Sequence, residues 1–149
     1  MKRHQNLLLA SLVVSGLAPA GIAETGTEEE AILALEREWS SRFAQGDVDW
    51  IVAAHAPDAQ QFPPNAPPVV GIDALRAAWQ GMADTEGLSL SWQPTRAYVA
   101  SSGDMAWDHG TGKLTNPDGE TQDVKYVVVW HRIDGEWKIV MDMFSPNSP

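Results

Sequence analysis

Asp142 lies in the run Val140-Met141-Asp142-Met143-Phe144, a carboxyl group with apolar residues on both sides. An unpaired carboxylate there would be costly to bury, so it should be paired or partly protonated. Lys125, His131, His109 and His55 are its candidate partners. A desolvated carboxyl near a histidine can act as a general base or orient a water. A polar strand residue satisfied by a neighbour does no chemistry, and the residues alone leave both readings open. Trp107-Asp108-His109 poses a question of parity: in a strand, either Asp108 or the Trp107/His109 pair faces inward, not both. His55 is expected to close a short helix, where its cationic form would suit the helix dipole without any ligand. His55, His109, His131 and Asp142 could converge on a metal, yet no His-x-His, His-x-x-x-His or cysteine pair is present. No metal site is therefore expected. With neither a Gly-rich phosphate loop before a helix nor a Gly-x-Ser-x-Gly elbow, no cofactor is expected either.

The elements that must position these groups are legible from patterning. Thr27-Glu28-Glu29-Glu30 has the form of a capping box. Ile32, Leu35, Trp39 and Phe43 follow at helical spacing, and Gly46 supplies the stop. Asp47 can cap a second helix over Val48 to His55, ended by Pro57. Ala59 to Phe62 reads as a short strand, Pro63 to Pro68 as a stiff loop, and Ala74 to Met82 as a third helix capped by Asp73. Four strands are then predicted: Leu88–Ala100, Met105–Thr115, Gln122–Ile133 and Glu136–Phe144. Asn116-Pro117-Asp118-Gly119 and Asp134-Gly135 are hairpin turns between them. Helices first and an antiparallel meander after them predict an α+β domain. Most of the seven tryptophans are expected in its core.

The first 23 residues are read separately. A basic start at Lys2-Arg3-His4, the apolar run Leu7 to Leu17 and the small residues of Ala18-Pro19-Ala20-Gly21-Ile22-Ala23 have the order of a secretory signal peptide. Cleavage after Ala20 or Ala23 is expected, leaving one domain over 24–149 in a bacterial periplasm or outside the cell. Losing Lys2 and Arg3 takes the net charge from −10 to −12. So acidic a chain, with no basic cluster, should not bind nucleic acid or anionic lipid. No cysteine is present, which excludes thiol catalysis and disulfides.

The ordered set of Gly46-Asp47, Pro57-Asp58-Ala59, Gly71-Ile72 and Arg132-Ile133-Asp134-Gly135-Glu136-Trp137-Lys138-Ile139 resembles the nuclear transport factor 2-like superfamily, and within it the SnoaL-like and ketosteroid-isomerase-like branch. The resemblance implies a cone: a strongly bent antiparallel sheet wrapped around three helices, with a pocket at the open end. A ketosteroid isomerase needs an Asp base, a tyrosine and a protonated Asp. By the resemblance those positions fall on Pro63, Trp39 and Val129 respectively, so isomerisation by that mechanism is not expected.

If Val129 and Phe144 face the pocket, alternation brings Lys125, Val127, His131, Val140 and Asp142 with them. The expected function is then an exported binding domain for a small apolar or aromatic molecule. Its pocket would draw on Trp39, His55, Phe62, Trp79, Trp107, Lys125, Val129 and Phe144. An alternative is a hydratase, cyclase or epoxide-opening enzyme using Asp142 with His131 or His109. A further alternative, compatible with either, is a homodimeric interaction module: Tyr126, Val128, Trp130, Trp137, Ile139 and Met141 would form an outer apolar face that a homodimer through the sheets covers.

Overall fold

The computed structural model describes residues 25–147. The expected signal peptide lies outside them. Helix α1 (Thr25–Ala44) turns at Gly46, whose φ of 71° suits a residue without a Cβ. Asp47 caps α2 (Val48–Ala54), its carboxylate accepting from the Trp50 amide at 3.1 Å. The chain then enters β1 (His55–Phe62) directly, so His55 is at once the C-cap of α2, its amide donating to the Val52 carbonyl, and the first residue of a strand. A two-residue strand, β2 (Val69–Val70), precedes α3 (Ile72–Ala83). Gly71 stands at the N-cap of α3 with no side-chain cap; Asp73 is inside the helix.

Four long strands follow: β3 (Ser89–Val99), β4 (Met105–Thr115), β5 (Thr121–Ile133) and β6 (Glu136–Pro146). Asp134 and Gly135 both have positive φ, the geometry that a two-residue hairpin demands. The sheet order is β2-β1-β6-β5-β4-β3. Neighbours run antiparallel except β1 and β6, which are parallel because α3 and the β-meander intervene between them. The fold class is α+β, as the order of elements predicts, but the sheet is mixed. Register shifts interrupt β1–β6, β3–β4 and β5–β6. The shift between Val129 and Trp130 leaves Val140 without a register partner in β5, and both Ile139 and Asp142 end up buried.

Helix α1 lies along β3, and Ser40 Oγ accepts from the Trp92 amide at 3.1 Å. Between the layers, the Trp39 ring packs edge-on to Trp79 and Trp92 at 5.4 and 5.3 Å, with Phe43 beside them. Of the seven tryptophans, Trp39, Trp79, Trp92 and Trp130 are buried. At the far end of α1, Glu28 accepts from Arg132 and from Trp137 Nε1, and the guanidinium lies over the Trp137 ring. These bonds hold the Glu28 carboxyl below the usual range. Among the described residues, no helix is long and apolar enough to cross a membrane.

Candidate functional site

The phase of β5 decides what the site contains. Val124, Tyr126, Val128 and Trp130 are buried under the helices; Lys125, Val127, Val129 and His131 point away from them. This reverses the expected phase. The run Val127-Val128-Val129-Trp130 is apolar at every position, so alternation could not select a face, and the choice rested on placing Val129 inside. Tyr126, Val128, Trp130 and Ile139 accordingly belong to the interior and not to an outer face.

Three carboxyl groups occupy the interior: Glu36 and Asp108, both fully buried, and Asp142, 5 % exposed. Register explains the last two. Asp108 on β4 pairs with Val128, and Val128 pairs with Asp142 on β6, so both acids stand on the inner face, two strand spacings or about 10 Å apart. Glu36 descends from α1, four residues beyond Ile32 and three before Trp39 on the same helical face. Each acid is held by one neutral donor. Trp92 Nε1 donates to Glu36 Oε1 at 2.6 Å, Trp130 Nε1 to Asp108 Oδ1 at 2.7 Å, and Gln61 Nε2 to Asp142 Oδ2 at 2.9 Å. Glu36 Oε2 and Trp79 Nε1 are buried without a partner. The Tyr126 hydroxyl is directed at the Asp108 carboxyl, which lowers the acid's pKa and raises the phenol's.

Among the described residues no cation pairs with these groups, so burial dominates their acidity. It pushes the Glu36 carboxyl well above the usual carboxylate range, helped by the charges of Asp108 and Asp142 and opposed by the Trp92 bond. Burial also raises Asp108 to about 7, with the Trp130 bond opposing and Asp142 adding to the rise. Asp142 is raised to about 6 by burial, against the Gln61 bond. The same desolvation, with the neighbouring carboxylates, raises the Tyr126 phenol, which stays neutral.

A cavity of about 30 Å³ lies among Glu36, Trp79, Trp92, Tyr126, Asp142 and Phe144, closed by Leu90 and Val124. Phe144 is the only lining residue that is not buried. The space is large enough for one or two water-sized groups.

The other expected site residues divide cleanly. Trp79 and Phe144 line the cavity, while Trp39 is packed in the aromatic core behind it. His55 is buried beside Trp39, ring to ring 5.3 Å. Its Nδ1 is 2.7 Å from the Ile51 carbonyl, and burial lowers its pKa to about 4, so the ring is neutral and Nδ1–H donates. Phe62 is half-buried on β1, next to Met143 of β6. Trp107 and His109 are outside: Trp107 is 40 % exposed and stacks on Tyr98 at 4.2 Å, with His109 alongside at 5.9 Å. His131 and Lys125 are exposed as well, Lys125 reaching the Pro146 carbonyl at 3.3 Å. Asp142 therefore has no histidine or lysine partner; its partner is Gln61. Among the described residues, no group of three or more His, Asp or Glu is arranged to hold a metal ion.

Glu36, Asp108, Tyr126, Gln61 and Trp92 were not singled out as site residues, though two signals marked them. Glu36 shares the apolar face of α1. In β4 the alternate residues Ala106, Gly110 and Gly112 are small, marking the crowded inner side to which Asp108 belongs.

A description of the SnoaL-like domain matches residues 37–140, which hold the inner face of β4 and β5 and all of the cavity wall except Glu36, Asp142 and Phe144. The chain belongs to the SnoaL-like family. Solved structures similar to this SnoaL-like chain include an NTF2-like protein of unknown function from Pseudomonas putida, 21% identical with a TM-score of 0.71, covering 81% of this chain and 87% of that one. A ketosteroid isomerase-like protein from Erwinia carotovora atroseptica is 20% identical with a TM-score of 0.68, covering 80% and 96%. A domain of unknown function with a cystatin-like fold from Nostoc punctiforme is 20% identical with a TM-score of 0.70, covering 83% and 80%. At these identities the likeness is one of fold. No curated protein matches the sequence.

Proposed function

We propose that this SnoaL-like chain is a small-molecule-binding domain whose ligand is held in the interior cavity by Glu36, Trp79 and Asp142. The observation that carries this reading is a pair of unpartnered, buried polar atoms on residues that line one small hollow: Glu36 Oε2 and Trp79 Nε1. A buried polar group without a partner costs about 1–3 kcal/mol, and a ligand with a polar end would satisfy both. The cavity is far smaller than the roughly 300 Å³ of a drug-sized site, so the ligand, or the part of it that enters, is a fragment of a few heavy atoms with a polar end.

The test is protein-observed NMR with a library of such fragments, reading the indole N–H resonances of Trp79 and Trp92. The expected result is saturable shifts at both for some fragments, lost in Asp142→Asn at unchanged thermal stability. Shifts confined to surface residues throughout the library would refute it.

A second reading is proton transfer. It is favoured by the acidities of Asp142 and Asp108, about 6 and about 7, which let two carboxyls donate and accept protons near neutrality. In that reading Asp142 works with Asp108, not with a histidine.

Two further expectations carry forward as proposals. Export rests on the pattern of the first 23 residues. Self-association rests on a cross-strand row on the outer face, Tyr98–Trp107–Val129–Met141, beside His109–Val127–Met143. Such a patch is normally covered. Sedimentation showing a monomer at micromolar concentration would remove the second; unprocessed protein retained inside the cell would remove the first.

A further inference from the structure

We propose that the group entering the cavity is a small organic cation, a primary or methylated ammonium, clasped between the Glu36 and Asp142 carboxyls and the rings of Trp79, Trp92, Tyr126 and Phe144. This rests on the binding reading above and names its ligand class.

Four features converge on it. The first is charge. Glu36 on α1, Asp108 on β4 and Asp142 on β6 all face the interior, with Tyr126 on β5 and His55 on β1 the other titratable groups packed around them. None of these is a cation: His55 is neutral, and the donors to the acids are indole, amide and phenol groups. Buried carboxyls are ordinarily paired with a cation, and among the described residues none is supplied.

The second feature is the wall. Four of the residues around the hollow are aromatic, and a ring face attracts a cation within about 6 Å of its centroid. Carboxyl groups beside several rings suit an alkylammonium, whose charge is spread over N–H and C–H groups. They suit a neutral hydrocarbon less well, since it would leave the acids unpartnered, and an anion least, since the acids would repel it.

The third is the free acceptor. Glu36 is fully buried, its Oε1 is taken by Trp92, and its Oε2 is unpartnered. The Tyr126 hydroxyl donates its hydrogen bond to Asp108, so Glu36 Oε2 is the acceptor open to an ammonium N–H. The fourth is size: about 30 Å³ matches the two heavy atoms of a methylammonium head. The net charge of −10 further concentrates cations near the molecule.

Binding and protonation compete at such a site. A cation favours the ionised carboxyls, so its affinity rises as pH climbs through the acidity of Asp142, about 6, and that of Glu36, which burial holds well above the usual carboxylate range.

The experiment is titration of the protein with methylammonium chloride, with methanol as the uncharged analogue of the same size and sodium chloride at matched ionic strength. The readout is the Trp79 and Trp92 indole N–H shifts. Two heavy atoms limit the affinity, so saturation is expected with a Kd of about 10 mM at pH 8. Weakening of at least tenfold is expected at pH 5 and in Glu36→Gln, with no saturation by methanol or sodium. Asp142→Asn serves if Glu36→Gln fails to fold, and the methylammonium–methanol comparison needs no variant. Equal saturation by methanol overturns the cation and leaves the binding reading standing. Methylammonium that fails to saturate these resonances while library fragments do also overturns the cation alone. Silence to every molecule overturns both.

Discussion

Trp130 Nε1 donates to Asp108 Oδ1 at 2.7 Å, between two side chains that are 1 % and 0 % exposed, on adjacent strands. It is the well-formed hydrogen bond of the Asp108 carboxyl, which the Tyr126 hydroxyl also faces. The bond ties the end of the inner face, where α1 meets β5, to the acid trio.

Replacing Trp130 with Phe should therefore destabilise the protein by about 1–3 kcal/mol beyond the loss of ring area, because a buried acid loses its indole donor. The same substitution in an Asp108→Asn background should cost less, and chemical denaturation of the four proteins in a double-mutant cycle measures the difference. Equal costs in the two backgrounds would show that the bond does not matter to stability.

The acid trio also fixes how stability depends on pH. Asp108 and Asp142 titrate in the folded protein at about 7 and about 6, above their ordinary value of 3.8. Between those limits the folded state holds more protons than the unfolded one. Their contribution is then present at low pH and declines as pH rises through 6 and 7. Glu36, raised well above 4.5, acts in the same direction. His55 opposes them: lowered from 6.5 to about 4, it favours the folded state more as pH rises through that window. Above pH 6.5 the unfolded histidine loses the rest of its charge, and by about pH 7.5 the carboxyls act alone. Denaturation midpoints should therefore fall from pH 6.5 to pH 8, by at most about 1.4 kcal/mol per pH unit for each proton still retained. Asp108→Asn should flatten that slope and leave the protein more stable than wild type at pH 8.

Gly110 should accept no side chain. A Cβ there would lie 2.2 Å from the Gln93 carbonyl and 2.6 Å from Tyr126 Oη. Gly110 pairs with Tyr126 across β4 and β5, so its missing side chain is the space in which the Tyr126 ring lies. Gly110→Ala is expected to cost more than about 4 kcal/mol or to prevent folding. Gly119→Ala meets nothing within 4 Å and should cost much less, chiefly the strain of its φ of 87°. Thermal unfolding of the two variants side by side decides it.

The histidines on the outer face give a negative expectation. His109 and His131 project from the side of the sheet opposite the cavity, so His109→Ala and His131→Ala should leave any ligand affinity or turnover within about twofold of wild type, whereas Asp142→Asn should abolish it. A tenfold loss in either histidine variant, measured on a monomeric preparation, would return them to the site.

Much of this molecule is legible along the chain. Gly46 and Asp47 mark the break between α1 and α2, and Asp134-Gly135 marks a tight hairpin, because positive φ and side-chain capping are local properties. The amphipathic face of α1 and the four long strands follow from periodicity in the same way. Asp142 stands out because a single charge interrupts an apolar run, and it is indeed buried. What surrounds it is not local. Alternation fixes which residues of a strand share a face, but it cannot say which face is covered when both read as apolar, as in Val127 to Trp130. The bulge beside Val140 adds one residue to β6, so phase cannot be carried across the β5–β6 hairpin by counting.

The sequence by itself determined the family fold, the order of its elements and the burial of one acid, because these depend on spacing and composition within single segments. Tertiary structure alone decided that three carboxyls from α1, β4 and β6 are buried in one interior, while two histidines and a lysine turn away. The physical reason is that strand pairing and helix docking choose one face of each strand to desolvate. A shift of phase by one residue exchanges every side chain between core and surface.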